Sequence, residues 1–126
     1  MGRPPSILVV DDDRDTRELY RACFDLDGFA TAEAATGSEA IAVARRLLPD
    51  LLLTDLILPD IDGFEVARRL RREVPMLRVI MVTGYGVDDF EHKASSIGIA
   101  RALWKPIRPQ VMLREVRRAL KSVPAA

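Results

Sequence analysis

Short apolar runs alternate along this chain with longer amphipathic segments. The runs at 7–10, 51–53, 79–82 and 100–104 are bounded by turn residues or charges, as buried strands are, and a further strand is predicted at 29–32. Apolar residues recur with helical spacing over 16–26, 38–48, 64–73, 88–97 and 110–122. The pattern therefore predicts strand and helix alternating five times.

This alternation predicts an α/β fold with helices on both faces of a doubly wound parallel sheet. Right-handed crossovers leave few topologies, and the flavodoxin-like strand order 2-1-3-4-5 is the best known for five such units. Asp13, Gly37 with Ser38, and Pro109 are predicted helix starts. We predict one domain over residues 6–122, with loose termini at 1–5 and 123–126.

Polar side chains follow four of the five predicted strands. In an open α/β sheet, ligands bind beyond the carboxyl ends of the strands near the point where the strand order reverses. The strand ends of this chain therefore predict a binding site. In strand order, the residues are Asp11, Asp12 and Asp13, then Asp55, then Thr83 and Gly84, and finally Lys105.

The residue types at these strand ends favour metal and phosphate chemistry. Carboxylates gathered from two neighbouring strands repel one another unless a cation neutralises them, and all-oxygen ligands suit Mg²⁺. An ammonium from Lys105 and a hydroxyl from Thr83 would face the carboxylates and stabilise oxygen atoms that carry negative charge. This arrangement suits a phosphoryl group on Asp55, since aspartate is a known covalent acceptor.

Four motifs occur in a specific order: ILVVDDD, LLLTDLILPDIDG, VIMVTGYG and LWKP. Together they resemble the receiver domain of bacterial two-component response regulators, over about residues 7–120 of the chain. The resemblance implies that residues 6–122 form a receiver domain. It implies the following site residues: Asp55 as phosphoacceptor, Asp11, Asp12 and the backbone carbonyl of Ile57 as further Mg²⁺ ligands, and Thr83 and Lys105 as phosphoryl-binding groups.

The resemblance also assigns residues that do no chemistry. Pro59, Asp62 and Gly63 match the loop after the phosphoacceptor, where they shape the turn. Asp13 and Asp60 are interpreted as a helix-start acid and a solvated loop acid outside the site.

The resemblance implies partners as well. A sensor histidine kinase or a histidine phosphotransfer protein would supply the phosphoryl group from its own phosphohistidine. The only histidine here, His92, is predicted to be an exposed residue of the fourth helix. The fourth helix, fifth strand and fifth helix would form the output or homodimer face toward an unknown downstream protein. The chain would be a signalling phosphoacceptor rather than an enzyme, apart from assisting its own phosphorylation and slow self-dephosphorylation.

The chain departs from the family beside the site. Family members usually carry Tyr or Phe three residues before the lysine, where this chain has Ala102. Trp104 lies on the same strand face, so it either fills the missing volume or packs statically against the last helix. Ile57 and Tyr85 are bulky residues near the path of attacking water, which predicts slow self-dephosphorylation.

The composition of the chain limits the partners and the protein classes that fit it. Of the 126 residues, 19 are Lys or Arg and 19 are Asp or Glu, so net charge favours neither nucleic acid nor a membrane surface as a partner. The basic residues of the last helix, which are Arg114, Arg117, Arg118 and Lys121, are interpreted with Glu115 as a solvated face. A single cysteine excludes an internal disulfide framework, and no apolar run is long enough to span a bilayer. We predict a cytoplasmic location.

Three other functions remain open at this stage. A phosphatase of the haloacid-dehalogenase type would use Asp11, after the first strand, as its nucleophile. A receiver-like interaction module without phosphorylation would explain Ala102. A flavodoxin relative would need a phosphate-binding loop after the first strand, where the acidic run would repel phosphate. With no effector domain expected after Ala126, the chain is either a stand-alone regulator or a receiver cut from a longer protein.

Overall fold

A computed structural model describes residues 2–84 and 89–121. All strands pair in parallel in the order β2-β1-β3-β4-β5, which confirms the predicted flavodoxin-like topology. The elements are β1 (Ser6–Val10), α1 (Arg14–Leu26), β2 (Ala30–Ala34), α2 (Gly37–Leu47), β3 (Leu51–Asp55), α3 (Gly63–Glu73), β4 (Arg78–Thr83), α4 (Phe90–Ile97), β5 (Arg101–Trp104) and α5 (Pro109–Lys121).

The core has a layer on each face of the sheet because strand side chains alternate in direction. On one face, apolar residues of β1, β3 and β4 pack against Phe24 of α1 and Val116 of α5. On the other face, the alternate residues of the same strands pack against Ile41 of α2 and Leu70 of α3. The central strand β3 is buried along its whole length, so its last residue is held in a fixed position at the sheet edge.

Most element boundaries fall within two residues of the prediction. The second strand begins at Ala30 and ends at Ala34 rather than spanning 29–32, because Phe29 instead packs edge-on against Phe24. Asp13 caps α1 as predicted, whereas α2 is capped by Thr36, which precedes the predicted Gly37 and Ser38. The predicted start of the fourth helix at Asp88 and the last residue of the fifth, Ser122, lie outside the described residues.

The face of α5 is only partly as predicted. Its basic residues are exposed, but Glu115 is 2% exposed rather than solvated. Its carboxylate Oε1 lies 2.7 Å from Arg101 Nε on the neighbouring strand β5. A carboxylate withdrawn from water needs such a cation, so this ion pair joins α5 to β5. In the described part of the chain, no helix is long and apolar enough to cross a membrane.

Candidate functional site

The site lies where β1 and β3 end beside each other. Asp55 is the last residue of β3, and Asp11 immediately follows the neighbouring strand β1. Thr83 ends β4, the strand on the other side of β3, and is fully buried. Lys105 follows β5, whose last residue, Trp104, is paired in register with Thr83. Parallel pairing thus gathers residues that are far apart in sequence at one edge of the sheet.

Lys105 bridges the two buried carboxylates of the site. Its Nζ donates to Asp55 Oδ2 at 2.7 Å and to Asp11 Oδ2 at 2.9 Å. Burial alone would lower the pKa of Lys105, but the hydrogen bonds to Asp55 and Asp11 outweigh it and hold this pKa well above its usual value. Lys105 is therefore a permanent positive charge between two strand ends.

Asp11, Asp12 and Asp55 form a group that could hold a metal ion. One carboxylate oxygen from each lies within 4.8 Å of the others. Asp11 and Asp55 are buried, whereas Asp12 is exposed. Burial raises the pKa of Asp55, and the hydrogen bond from Lys105 opposes this only in part. A cluster of hard oxygen donors with one member open to solvent suits Mg²⁺, which keeps part of its water shell.

Backbone amides hold the two buried carboxylates in place. Asp13 N–H donates to Asp11 Oδ1 at 2.9 Å, and Ile57 N–H donates to Asp55 Oδ1 at 3.2 Å. The side chain of Asp13 turns away from the cluster and caps α1 through Thr16. Ile57 is 50% exposed. The predicted role of the Ile57 carbonyl as a metal ligand stays a prediction.

The loop after Asp55 is fixed by its neighbours. Asp62 caps α3 by accepting from Glu65 N–H at 2.9 Å. Gly63 lies so close to β3 that an added Cβ would meet the carbonyl oxygen of Asp55 at 2.4 Å. Asp60 is exposed, as predicted for a solvated loop acid, and its carboxylate also accepts 2.8 Å hydrogen bonds from the amides of Gly37 and Ser38. Asp60 therefore ties this loop to the start of α2.

A cluster of aromatic side chains lies next to the site, between α3, α4 and β5. Ala102 packs against a buried cluster that includes Phe64 and Phe90. The Trp104 ring meets Phe90, with ring centroids 5.9 Å apart, and remains 54% exposed. Trp104 therefore contacts α4 and is not buried against the last helix. His92 is exposed as predicted, and Tyr85 lies outside the described residues.

Arg17 is a further residue of the site that was not predicted from the sequence. Its Nη1 donates to the backbone carbonyl of Asp11 at 2.8 Å, and its Nε donates to Glu33 at 2.9 Å. Arg17 lies four residues after the cap residue Asp13, so it faces back toward the start of α1. That spacing could have indicated a contact between Arg17 and the loop before α1. The contact with Glu33 could not be predicted in this way, because Glu33 lies on β2 and meets Arg17 only in the folded chain.

The chain is similar to proteins of one family. The model of the response regulator receiver domain matches residues 7–117. Sporulation initiation phosphotransferase F of Bacillus subtilis is 33% identical over 115 residues, covering 91% of this chain and 90% of that protein. The transcriptional regulator RpaA of Synechocystis is 34% identical, and the chain spans 49% of its length. The crystal structure of a CheY-like receiver domain from Methanospirillum hungatei covers 93% of this chain and 94% of its own, at 28% identity and a TM-score of 0.90.

Proposed function

The chain belongs to the response regulator receiver domain family, whose members are signalling phosphoacceptors, and we propose that Asp55 is the residue that accepts the phosphoryl group. The observation that carries this proposal is the ion pair between Asp55 and Lys105, 2.7 Å long, beside Asp11 and Asp12. It places a nucleophilic carboxylate next to a fixed cation at the end of the central strand. Such a pair suits a carboxylate whose charge rises from one to two negative charges when it accepts a phosphoryl group.

The proposed reaction is an in-line transfer to an Asp55 carboxylate oxygen. That oxygen forms a bond to phosphorus while the bond from phosphorus to the donor breaks, and the electron pair leaves with the donor, such as a histidine nitrogen of a sensor kinase or phosphotransfer protein. Lys105, already bonded to Asp55 Oδ2, would turn to the phosphoryl oxygens, and the hydroxyl of Thr83 would donate to another.

Mg²⁺ is the proposed cofactor. Asp11, Asp12, Asp55 and the carbonyl of Ile57 would hold it. When bound, it would neutralise charge on the phosphoryl oxygens and on the carboxylates. Lys105 already neutralises part of the carboxylate charge, which reduces the repulsion among these acids.

The proposed output face consists of α4, β5 and α5. Trp104 is half exposed there, beside a groove that it lines with Leu103, Ile107 and Val111. Trp104 immediately precedes Lys105, so movement of Lys105 toward a phosphoryl group would act on Trp104 through the shared backbone. We propose that a downstream protein, or a second copy of this chain, binds this face. A cytoplasmic location stays a prediction.

Mg²⁺-dependent labelling tests the phosphoacceptor proposal. Purified protein is incubated with acetyl phosphate, with and without Mg²⁺, and its intact mass is measured. The wild type should gain one phosphoryl group only with Mg²⁺, and Asp55→Asn should gain none. Asp15→Asn is the matched control, because Asp15 is an exposed acid of α1 near the acidic run. An unlabelled wild type, or labelling of Asp55→Asn, would overturn the proposal.

A further inference from the structure

Arg17 is a nearly buried cation that joins the acidic loop to the edge strand. Its side chain is 13% exposed. One nitrogen donates to the carbonyl of Asp11 at 2.8 Å, and another donates to Glu33 Oε1 at 2.9 Å. Arg21 donates to the other carboxylate oxygen of Glu33 at 2.9 Å. The hydrogen bonds from Arg17 and Arg21 lower the pKa of Glu33, so Glu33 is ionised at neutral pH and fixes the guanidinium of Arg17.

The carbonyl that Arg17 binds belongs to the peptide unit that joins Asp11 to Asp12. This unit is planar, so fixing its oxygen also fixes the direction in which the chain enters Asp12. The preceding peptide unit is fixed as well, because Asp11 N–H donates to the Ala34 carbonyl of β2 at 3.2 Å. The carboxylate of Asp11 is separately held by Asp13 and Lys105.

Asp12 differs from the other two acids of the cluster. Its side chain is exposed, whereas Asp11 and Asp55 are buried and bonded to Lys105. The backbone that carries Asp12 therefore determines whether its carboxylate faces the cluster. That backbone is the one that Arg17 anchors.

We propose that Arg17 is a positioning residue of the cation site, which aims the carboxylate of Asp12 by holding the Asp11–Asp12 peptide unit. The proposal rests on the proposed function, because it takes Asp11, Asp12 and Asp55 as the ligands of Mg²⁺. Arg17 itself binds no ion. It acts through the carbonyl of Asp11 and is fixed in turn by Glu33.

The proposed role of Arg17 predicts the direction in which its removal changes the affinity for Mg²⁺. A guanidinium close to a cation site could instead act by charge, in which case its removal would reduce repulsion and tighten Mg²⁺ binding. The ion pair with Glu33 compensates the charge of Arg17, so the orientation of the loop should dominate. Removal of Arg17 should then weaken Mg²⁺ binding.

Calorimetric titration of the full chain with Mg²⁺ alone separates these effects. Outer-sphere partners of metal ligands contribute about 10- to 100-fold to metal affinity, so Arg17→Ala should raise the Kd for Mg²⁺ by about tenfold or more. Arg21→Ala is the matched control, because Arg21 binds the same Glu33 but not the Asp11 carbonyl. The Kd of Arg21→Ala should stay near the wild-type value.

Further variants keep the test decisive if Arg17→Ala does not fold, which circular dichroism in EDTA would reveal. Arg17 reaches Glu33 and the Asp11 carbonyl through two separate nitrogens, Nε and Nη1, whereas Arg17→Lys would have to reach both from a single ammonium without the planar fork. Glu33→Gln keeps the size of the side chain but removes the charge that fixes Arg17. Both should weaken Mg²⁺ binding to a smaller extent than Arg17→Ala.

The outcomes distinguish this inference from the proposed function. The positioning role alone would be overturned if Arg17→Ala folds and its Kd for Mg²⁺ is equal to or lower than that of the wild type. If Arg17→Ala does not fold, the same result for both milder variants would overturn it. Mg²⁺ binding and labelling of the wild type would stand in either case. A wild type that neither binds Mg²⁺ nor is labelled by acetyl phosphate would overturn both.

Discussion

Lys105 and Asp55, 50 residues apart in the chain, form a 2.7 Å ion pair across the end of the sheet. The same ammonium lies 2.9 Å from Asp11 Oδ2, so one cation neutralises two buried carboxylates. The lysine that would bind the phosphoryl group therefore also reduces the repulsion between the carboxylates that would bind Mg²⁺.

Replacement of Lys105 by alanine should destabilise the protein most strongly when Mg²⁺ is absent. It leaves Asp11 and Asp55 buried without their shared cation, and an unpaired buried polar group costs about 1–3 kcal/mol. Mg²⁺ should recover part of this loss, because it supplies positive charge to the same carboxylates. Urea unfolding in EDTA and in Mg²⁺ measures the difference. Lys121→Ala, at an exposed position of α5, is the control. Equal losses of stability in both conditions would contradict this reasoning.

The half-exposed side chain of Ile57 should slow hydrolysis of the phosphorylated protein. Ile57 lies two residues after Asp55, its amide binds the Asp55 carboxylate, and its apolar side chain offers water no hydrogen bond. An amide at this position could orient attacking water, and one hydrogen bond of about 1 kcal/mol corresponds to roughly a fivefold change in rate. The half-life of the phosphoprotein, followed by intact mass, should therefore be shorter in Ile57→Asn. Ile57→Val is the apolar control. A wild-type half-life no longer than that of Ile57→Asn would refute the prediction.

Gly63 should tolerate no side chain. An added Cβ would lie 2.4 Å from the Asp55 carbonyl oxygen and 2.8 Å from Met81 Sδ, and the backbone oxygen belongs to the buried strand β3. Overpacking of this kind costs about 1–3 kcal/mol, so Gly63→Ala should lower the free energy of unfolding by that amount. Gly2→Ala, where a Cβ would meet nothing within 4 Å, should leave it unchanged. Chemical denaturation of the two variants gives the comparison, and equal stability would show that the loop can move away from β3.

Trp104 should report on occupation of the site. It is the only tryptophan, it is paired in register with Thr83, and its ring packs on Phe90 of α4. Addition of Mg²⁺ with the phosphate mimic beryllofluoride should change its fluorescence, because Lys105 is the next residue. The change should vanish in Asp55→Asn and shrink in Phe90→Leu. Unchanged wild-type fluorescence would remove the support for coupling through Trp104.

Local patterns were enough to predict the fold and the position of the site. The apolar runs and the helical spacing predicted the order of elements, and the carboxyl ends of parallel strands must meet at one edge of the sheet. Asp11, Asp55 and Lys105 could therefore be expected to lie together before their contacts were known. The family resemblance added separate roles, which geometry alone does not assign.

Features that depend on contacts between distant segments could not be predicted in this way. Asp60 is an exposed loop acid as predicted, but nothing near it in the sequence indicates that its carboxylate binds the amides that begin α2. Glu115 looked solvated among arginines, yet helix α5 turns it toward Arg101 of β5. The bond from Arg17 to the Asp11 carbonyl could be suspected from spacing, but its anchor Glu33 lies on another strand.

Chemical trapping would identify which residue carries the phosphoryl group. Borohydride reduces an aspartyl phosphate to homoserine, and peptide mapping then locates the altered residue. Cleavage after arginine separates Asp11 and Asp12, in a peptide that ends at Arg14, from Asp55, in the peptide 47–68. After labelling with acetyl phosphate and Mg²⁺, fragmentation should locate homoserine at position 55. Homoserine at position 11 would instead indicate the phosphatase-like nucleophile, and its absence from a folded protein would indicate an interaction module that takes no phosphate.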